Sequence, residues 1–261
     1  MSSASQQLAR GTTIVSVEHI GLDFHKEKEL LPVLLDVSFT AGKDEMVMIT
    51  GPSGCGKSTL LRIVGGLIPA SSGIVRVGDS VVNGPRQEIT MVFQNFVLLP
   101  WRTALDNVIF GMSSKNGLSF AQKKEKAITM LANAGLEGFE NVYPGELSGG
   151  MKQRVGVARA LAVDPQVLLM DEPFSSLDDL TAEHLRREIY SLLINPTTSV
   201  NTVIMVSHNV EEIIELADKV IVLSKRPGRV VGELKVDLPR PRDKKSKDFF
   251  DWVDRVYALL A

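Results

Sequence analysis

A glycine-rich segment that follows a strand-like run constrains the fold of this chain more than any other feature. Residues Gly51–Ser58 read GPSGCGKS and fit the spacing G-x-x-x-x-G-K-[ST]. The continuous apolar run Met46–Thr50 precedes it, as in a strand buried in a parallel sheet, and apolar residues at helical spacing follow from Leu60. Glycines there let backbone N–H groups close around phosphate oxygens at a helix N-terminus. The pattern therefore predicts a phosphate-binding loop, with a plain glycine-rich turn as the alternative.

Polar side chains in and beyond this loop indicate how a metal ion and a water molecule would be held. Lys57 is expected to reach the β- and γ-phosphates, and Ser58 is expected to bind Mg²⁺. The apolar run Val167–Met170 ends in Asp171 and Glu172, and a carboxylate at the end of a buried strand can bind Mg²⁺ opposite the loop. We therefore expect Asp171 to be a metal ligand and Glu172 to orient or deprotonate the attacking water. Two acids after a strand could instead cap a helix.

The composition excludes several other classes of protein. The chain has 261 residues, of which 44% are hydrophobic and 23% charged, so it is neither disordered nor collagen-like. A formal net charge of −2 shows no basic excess, and no nucleic-acid partner is expected. The chain has one cysteine, Cys55, so an intrachain disulfide is excluded and a reducing compartment is favoured. Cys55 lies inside the glycine-rich segment, where it is either a reactive thiol or a small side chain that fills space. No apolar run reaches the roughly 20 residues of a spanning helix, and residues 1–13 look like a flexible leader, not a secretory signal.

Helical and strand patterns divide the chain into an α/β core, an inserted helical unit and a tail. Residues 14–240 are predicted to form one domain in which strands and helices alternate. Within it, residues of about 95–162 show mainly helical patterns, and Ser119 and Gln122 have the spacing of a capping box at a helix start. Residues 241–261 are predicted to be a charged linker followed by an amphipathic helix.

A second segment with phosphate-binding chemistry identifies the family that the chain resembles. Leu147–Arg154 reads LSGGMKQR, a Ser-Gly-Gly stretch at a helix start, and it resembles the signature motif of ATP-binding cassette (ABC) ATPases. The resemblance implies an α/β fold with a P-loop NTPase core and a mainly parallel sheet, an N-terminal antiparallel β subdomain and an inserted helical subdomain. It also implies a homodimer in which each signature acts on the ATP held by the partner. The signature residues are Leu147, Ser148, Gly149, Gly150, Met151 and Gln153.

Further motifs match the same family in the same order. Gln94 stands where the family has its Q-loop glutamine, and His208 matches the switch histidine that contacts the γ-phosphate. Phe24 stands where the family has an aromatic residue that stacks on adenine. The D-loop, which links the two ATP sites, is represented by Ser176, Leu177 and Asp178.

The resemblance assigns a role to each of these positions, with ATP as substrate and Mg²⁺ as cofactor. The catalytic residues are expected to be Glu172, His208, Lys57 and Gln94, and the Mg²⁺ ligands Ser58, Gln94 and Asp171. The ATP-binding residues are expected to be Phe24, Gly51, Pro52, Ser53, Gly54, Cys55, Gly56, Lys57, Ser58 and Thr59.

The stretch after Gln94 resembles that of importers for nitrate, sulfonate, taurine and bicarbonate. In the family this stretch packs on a membrane-embedded permease, so the expected permease contacts are Leu98, Leu99, Pro100 and Trp101, with burial inside the helical unit as the alternative. The resemblance implies a peripheral subunit on the cytoplasmic face of the inner or plasma membrane, acting indirectly with a solute-binding protein. Ser207 before the histidine departs from the group, where Thr is commoner.

Other functions remain open at this point. An ATPase for lipid transport or export would carry the same motifs, and so would a non-transport ABC protein acting on DNA or ribosomes. A P-loop kinase would not explain LSGGMKQR. The ATPase subunit does not touch the solute, so none of its residues encodes it.

Overall fold

Two β-sheets and a helical unit organise the chain in a computed structural model. The structure describes residues 12–26, 29–113, 117–175, 182–183, 186–187, 190–191 and 199–261. The strands are β1 (Thr13–Lys26), β2 (Glu29–Gly42), β3 (Glu45–Thr50), β4 (Ser72–Val77), β5 (Ser80–Val81), β6 (Ile89–Val92), β7 (Val167–Asp171), β8 (Thr202–Val206), β9 (Lys219–Leu223) and β10 (Val230–Lys235). The helices whose full extent the structure describes are α1 (Lys57–Val64), α2 (Ala104–Gly111), α3 (Phe120–Asn133), α4 (Gly149–Leu161), α5 (Val210–Leu216) and α6 (Lys247–Leu260), with a 3₁₀ turn at Pro144–Glu146.

The larger sheet has six strands in the order β10-β9-β3-β8-β7-β6. All neighbours in it are parallel except β9 and β10, which pair antiparallel at one edge. The central strands are apolar and buried on both faces, as parallel strands covered on both sides must be. Their carboxyl ends lie at the same edge of the sheet, where ligands of open α/β folds bind.

The smaller sheet is antiparallel, with the strand order β2-β1-β4-β5. The apolar runs Ile14–Val17 and Val33–Phe39 predict only short strands here. The two strands have 14 residues each, because the pairing continues through polar residues as far as Lys26 and Glu29. Register shifts interrupt the pairing near Ile20, which bends the strands.

Alternate residues of β3 show how the two sheets share the core. Val47 and Ile49 face a cluster that includes the antiparallel sheet and α1. Met46 and Met48 face the opposite cluster, in which α5 and α6 pack. The parallel sheet is therefore covered on both faces, with α1 between the two sheets.

The inserted unit has its own core, formed by buried side chains of α2, α3 and α4. The predicted capping box is present at α3, since Ser119 Oγ accepts from Gln122 N (3.3 Å) and Ser119 N donates to Gln122 Oε1 (2.8 Å). Residues 95–103 precede the first helix and form turns, so the helical part of the insertion begins later than its expected boundary.

The predicted tail helix is α6, which buries Phe249, Trp252, Val253 and Val256. Among the described residues, no helix combines the length and apolar character needed to cross a membrane. The helical spacing of Leu185, Ile189, Leu192 and Leu193 predicts a further helix, and these four residues lie outside the described residues. The fold class implied by the resemblance is confirmed, with a mainly parallel core, an antiparallel sheet and an inserted helical unit.

Candidate functional site

The predicted site residues meet at the carboxyl edge of the parallel sheet. The glycine-rich loop follows β3, Gln94 follows β6, Asp171 ends β7 and His208 follows β8. These strands are neighbours or near neighbours in the sheet, so residues far apart in sequence are brought to one edge.

Backbone geometry makes glycine necessary at two positions of the loop. Gly56 has φ +105° and caps α1, and a Cβ there would lie 2.8 Å from the Leu34 side chain. Gly51 has φ +154°, and a Cβ there would lie 2.8 Å from the carbonyl oxygen of Leu223. The loop can therefore follow this path and leave its N–H groups accessible to phosphate only with glycine at these positions.

The ammonium group of Lys57 lies against the backbone at the start of this loop. Its Nζ donates to the carbonyl oxygens of Gly51 (2.8 Å) and Pro52 (3.1 Å), and the residue is buried. The ammonium group is thus close to the same backbone that would bind the phosphates of ATP.

Ser58 and Asp171 join the loop to β7 and form a fitting pair for Mg²⁺. Ser58 Oγ donates to Asp171 Oδ1 at 2.8 Å, although the two residues are 113 positions apart. Burial raises the pKa of the Asp171 carboxyl, against the lowering effects of the Ser58 hydrogen bond and of the Arg62 and Lys57 charges. A divalent cation would favour the ionised carboxylate, and hydroxyl and carboxylate oxygens are the ligands that Mg²⁺ prefers.

Glu172 lies at the meeting point of three strand ends. Its Oε2 is 3.3 Å from Gln94 Nε2 and 3.4 Å from His208 Nδ1. Its backbone has φ +46°, a left-handed conformation uncommon for residues other than glycine, and its N–H donates to Val206 O at 3.0 Å. Such strained positions concentrate at functional sites, and this one directs a carboxylate toward both neighbours.

Phe24 lies on β1, two residues beyond Leu22, which pairs with Leu34 of β2. It is exposed and pairs with Leu31 of β2, and further along β2 Val33 and Leu34 pack against Gly56. The exposed ring is available for stacking on a base.

The signature residues form the start of α4. Ser148 caps the helix by accepting from Met151 N at 3.2 Å, and Ser148 and Gly149 are exposed. Buried Gln153 donates to the carbonyl oxygen of Pro173, which ties the signature helix to the loop after Glu172. Among the described residues, no hydrogen bond joins the signature to the phosphate loop of the same chain. The predicted D-loop residues Ser176, Leu177 and Asp178 lie outside the described residues.

The expected permease contacts differ in exposure. Leu98 and Leu99 are half-buried, and Leu98 packs against the neighbouring core clusters. Pro100 is exposed, and Trp101 has 72% of its surface exposed. The part of this segment that is free to contact another protein is therefore centred on Trp101.

Two residues that hold this segment were not assigned a role from the sequence. The side chain of Asn107 is fully buried and hydrogen-bonds to the backbone between Leu99 and Thr103. Arg159 on α4 donates to the carbonyl oxygens of Phe96 (2.6 Å) and Val97 (2.8 Å), both of which have positive φ. Their partners are backbone atoms, so no residue pairing in the sequence points to them.

Comparison with known proteins points to one family. The family model described as ABC transporter matches residues 34–175. The taurine import ATP-binding protein TauB of Yersinia pestis is 42% identical over 79% of this chain and 79% of its own length. The bicarbonate transport ATP-binding protein CmpD of Synechocystis is 36% identical over 99% of this chain and 92% of its own.

A solved structure shows the same fold. It is the dimeric ATP-binding cassette MJ0796 in a post-hydrolysis state bound to ADP and Pi, with a TM-score of 0.77, 31% identity, and coverage of 87% of this chain and all of that one. Since the family model matches more than half of the chain and these relatives align over most of it, the chain belongs to the ABC transporter family, as an ATP-binding subunit that hydrolyses ATP with Mg²⁺.

Proposed function

We propose that this subunit drives the import of a small anionic solute such as a sulfonate, taurine, nitrate or bicarbonate. The convergence of Glu172, Gln94 and His208 beside the phosphate loop carries the proposal that the site hydrolyses ATP. Two relatives named for taurine import and bicarbonate transport, each covering most of the chain, support the solute class.

Each side chain at the loop has a role in holding ATP. Lys57 binds the β- and γ-phosphates together with the loop N–H groups of Gly51–Gly56, and Phe24 stacks on adenine. Ser58, Asp171 and Gln94 hold Mg²⁺, which neutralises the charge that develops on the phosphates.

Glu172 and His208 act on the two sides of the γ-phosphate reaction. Glu172 accepts a hydrogen bond from the attacking water and orients it or takes its proton. His208, 3.4 Å from Glu172, contacts the γ-phosphate oxygens. Gln94, which lies 3.3 Å from Glu172, couples the metal to the same carboxylate.

Two copies are needed to complete each site. Ser148 and Gly149 are exposed at the start of a helix whose first N–H groups suit a phosphate, and of these the Met151 N–H is capped by Ser148 Oγ. In a head-to-tail homodimer they close on the γ-phosphate held by the partner. The neighbouring structure MJ0796 is a dimer, which supports this arrangement.

The exposed Trp101 segment provides the contact with an integral-membrane permease. A large apolar ring in water is a costly feature that a partner surface would cover. We place the subunit on the cytoplasmic face of the inner or plasma membrane, where ATP-driven closure of the dimer moves the permease, to which a solute-binding protein delivers the solute.

The substitution Glu172→Gln tests the catalytic part. It should leave ATP affinity within about twofold and lower turnover by about two to four orders of magnitude, because the amide cannot accept the proton. Near-normal hydrolysis would remove Glu172 from this role. Accumulation of a labelled alkanesulfonate, taurine, nitrate or bicarbonate in cells with and without the gene tests the solute class, and unchanged accumulation of all four would refute it.

A further inference from the structure

The imidazole of His208 is placed by a turn and not by packing. Its side chain is 64% exposed, and Glu172, its partner at 3.4 Å, is itself a reacting group. A side chain with so little surrounding protein keeps a fixed position only if its backbone is fixed. The residues on either side of His208 therefore decide where the ring lies.

Hydrogen bonds fix the residues on both sides of His208. Ser207 is buried, and its N–H donates to Ile49 O of β3 at 3.3 Å. Its Oγ accepts from Asn209 N (3.1 Å), which links the residue before the histidine to the residue after it. Asn209 in turn caps α5, since its Oδ1 accepts from Glu212 N at 3.2 Å.

Glu212 is the buried anchor of this turn. Its Oε2 accepts from Ser207 Oγ at 2.6 Å, and its other oxygen, Oε1, lies 3.3 Å from Arg186 Nη1. Both members of the ion pair are largely buried, and Arg186 also lies 3.0 Å from Glu215 and over the ring of Phe174. Removing one partner of such a pair leaves a buried charge uncompensated, so the geometry is strongly held.

The electrostatics of Glu212 agree with an anchor that needs all its partners. Burial raises the pKa of Glu212, and the hydrogen bond from Ser207 and the positive charge of Arg186 lower it. The nearby Glu215 carboxylate raises it and is itself paired with Lys244 at 2.7 Å and with Arg186.

We propose that Ser207 and Glu212, anchored by Arg186, are positioning residues for His208 in ATP hydrolysis. The inference rests on the proposed function, which gives His208 its contact with the γ-phosphate. The hydroxyl of Ser207 is the critical group, because among the described residues it is the one side-chain group of this turn that hydrogen-bonds to the Glu212 carboxylate.

Ser207→Ala in the full chain should lower kcat by about tenfold, since small misplacements of catalytic groups have effects of this size or larger. Binding of AMP-PNP with Mg²⁺ should weaken by a similar factor, whereas ADP binding should be unchanged, because ADP lacks the phosphate that His208 contacts. Ser207→Thr keeps the hydroxyl and should restore both values. A purely structural role would instead weaken the binding of both nucleotides.

Thr202→Val is the matched control. Thr202 is buried at the other end of β8, where its Oγ1 donates to Gly42 O at 2.7 Å. The substitution removes a buried hydroxyl from the strand that leads to Ser207, so it should lower the urea midpoint as Ser207→Ala does and leave kcat unchanged. Glu212→Gln is a second probe, because it keeps the volume but has one acceptor oxygen for two donors, and it should reproduce the selective loss.

A double-mutant cycle separates this proposal from the one on which it rests. If Ser207 acts through His208, Ser207→Ala causes no further loss of kcat in a His208→Ala background. Additive losses, or an unchanged kcat for both Ser207→Ala and Glu212→Gln, would overturn the positioning role. A His208→Ala protein that hydrolyses ATP at the parent rate would instead remove His208 from the proposed mechanism.

Discussion

Replacement of Asn107 by alanine tests whether a single buried amide holds the Trp101 segment in place. Asn107 Oδ1 accepts from Leu99 N at 2.8 Å. Its Nδ2 donates to the carbonyl oxygens of Leu99 (3.1 Å), Arg102 (3.1 Å) and Thr103 (2.9 Å). An amide NH₂ has only two hydrogens, so these contacts amount to three full hydrogen bonds.

The size of the effect follows from these contacts. Three hydrogen bonds at about 1 kcal/mol each give a loss of about 3 kcal/mol in the free energy of unfolding. Asn107 lies within α2, where alanine is the better helix former by about 0.6 kcal/mol. The expected net destabilisation is therefore about 2.4 kcal/mol.

Urea unfolding followed by far-UV circular dichroism measures this value. Limited trypsin digestion measures the local effect, because a released segment should be cut faster after Arg102. Asn133→Ala is the control, since Asn133 is exposed at the end of α3 and loses no buried bond, and it should change stability by less than about 0.5 kcal/mol. If Asn107→Ala matches this control and cleavage at Arg102 stays slow, the amide does not hold the segment.

Three other substitutions test the site and its supports. Burial raises the pKa of Asp171, so above that raised pKa the ionised carboxylate destabilises the nucleotide-free protein. Asp171→Asn should therefore unfold at a higher urea concentration at pH 8, and this gain in stability should fade as the pH falls toward 4. The same substitution should abolish Mg²⁺-dependent ATPase activity. Arg159→Met removes two charge-assisted bonds to the strained backbone after Gln94, and calorimetry should show a loss of about 2 kcal/mol; an unchanged Tm would contradict this support. Gly228→Ala would place a Cβ 2.3 Å from Cys55 O, so the phosphate loop must shift, and the ATP affinity measured by calorimetric titration should fall about tenfold. Gly84→Ala is the control: a Cβ there meets nothing within 4 Å, so this variant should bind ATP normally.

Local patterns were sufficient to predict most of the fold. The apolar run Met46–Thr50 and the helical spacing after Leu60 became β3 and α1, and the capping box at Ser119 became the start of α3. These features depend on neighbours in the chain, which is why they are visible in it. The strand β10 (Val230–Lys235) was not predicted, because it is an edge strand with polar residues and a glycine, and it forms by pairing with β9.

In the candidate site, too, some contacts follow from local patterns and others depend on the arrangement of the strands. The loop motif and the acid at the end of a buried apolar run predicted that Ser58 and Asp171 act together, and they are hydrogen-bonded across 113 positions. The contact between Glu172 and His208 required the strand order, which no local pattern contains. The roles of these residues in binding and turnover stay predictions until the substitutions above are measured.

The residues that hold His208 and Trp101 in place were not predicted from the sequence, and they share one physical role. His208 and Trp101 are largely exposed, so packing cannot fix them, and each depends on a buried polar group a few residues away. Asn107 binds backbone atoms near Trp101, and Glu212 binds the hydroxyl next to His208. Such groups carry no motif, because their partners are peptide atoms or a single serine, yet burial without those partners would cost several kcal/mol. Sequence motifs identify the reacting groups but not the residues that position them. A buried polar side chain close to an exposed functional side chain is therefore the structural feature that identifies such a positioning residue.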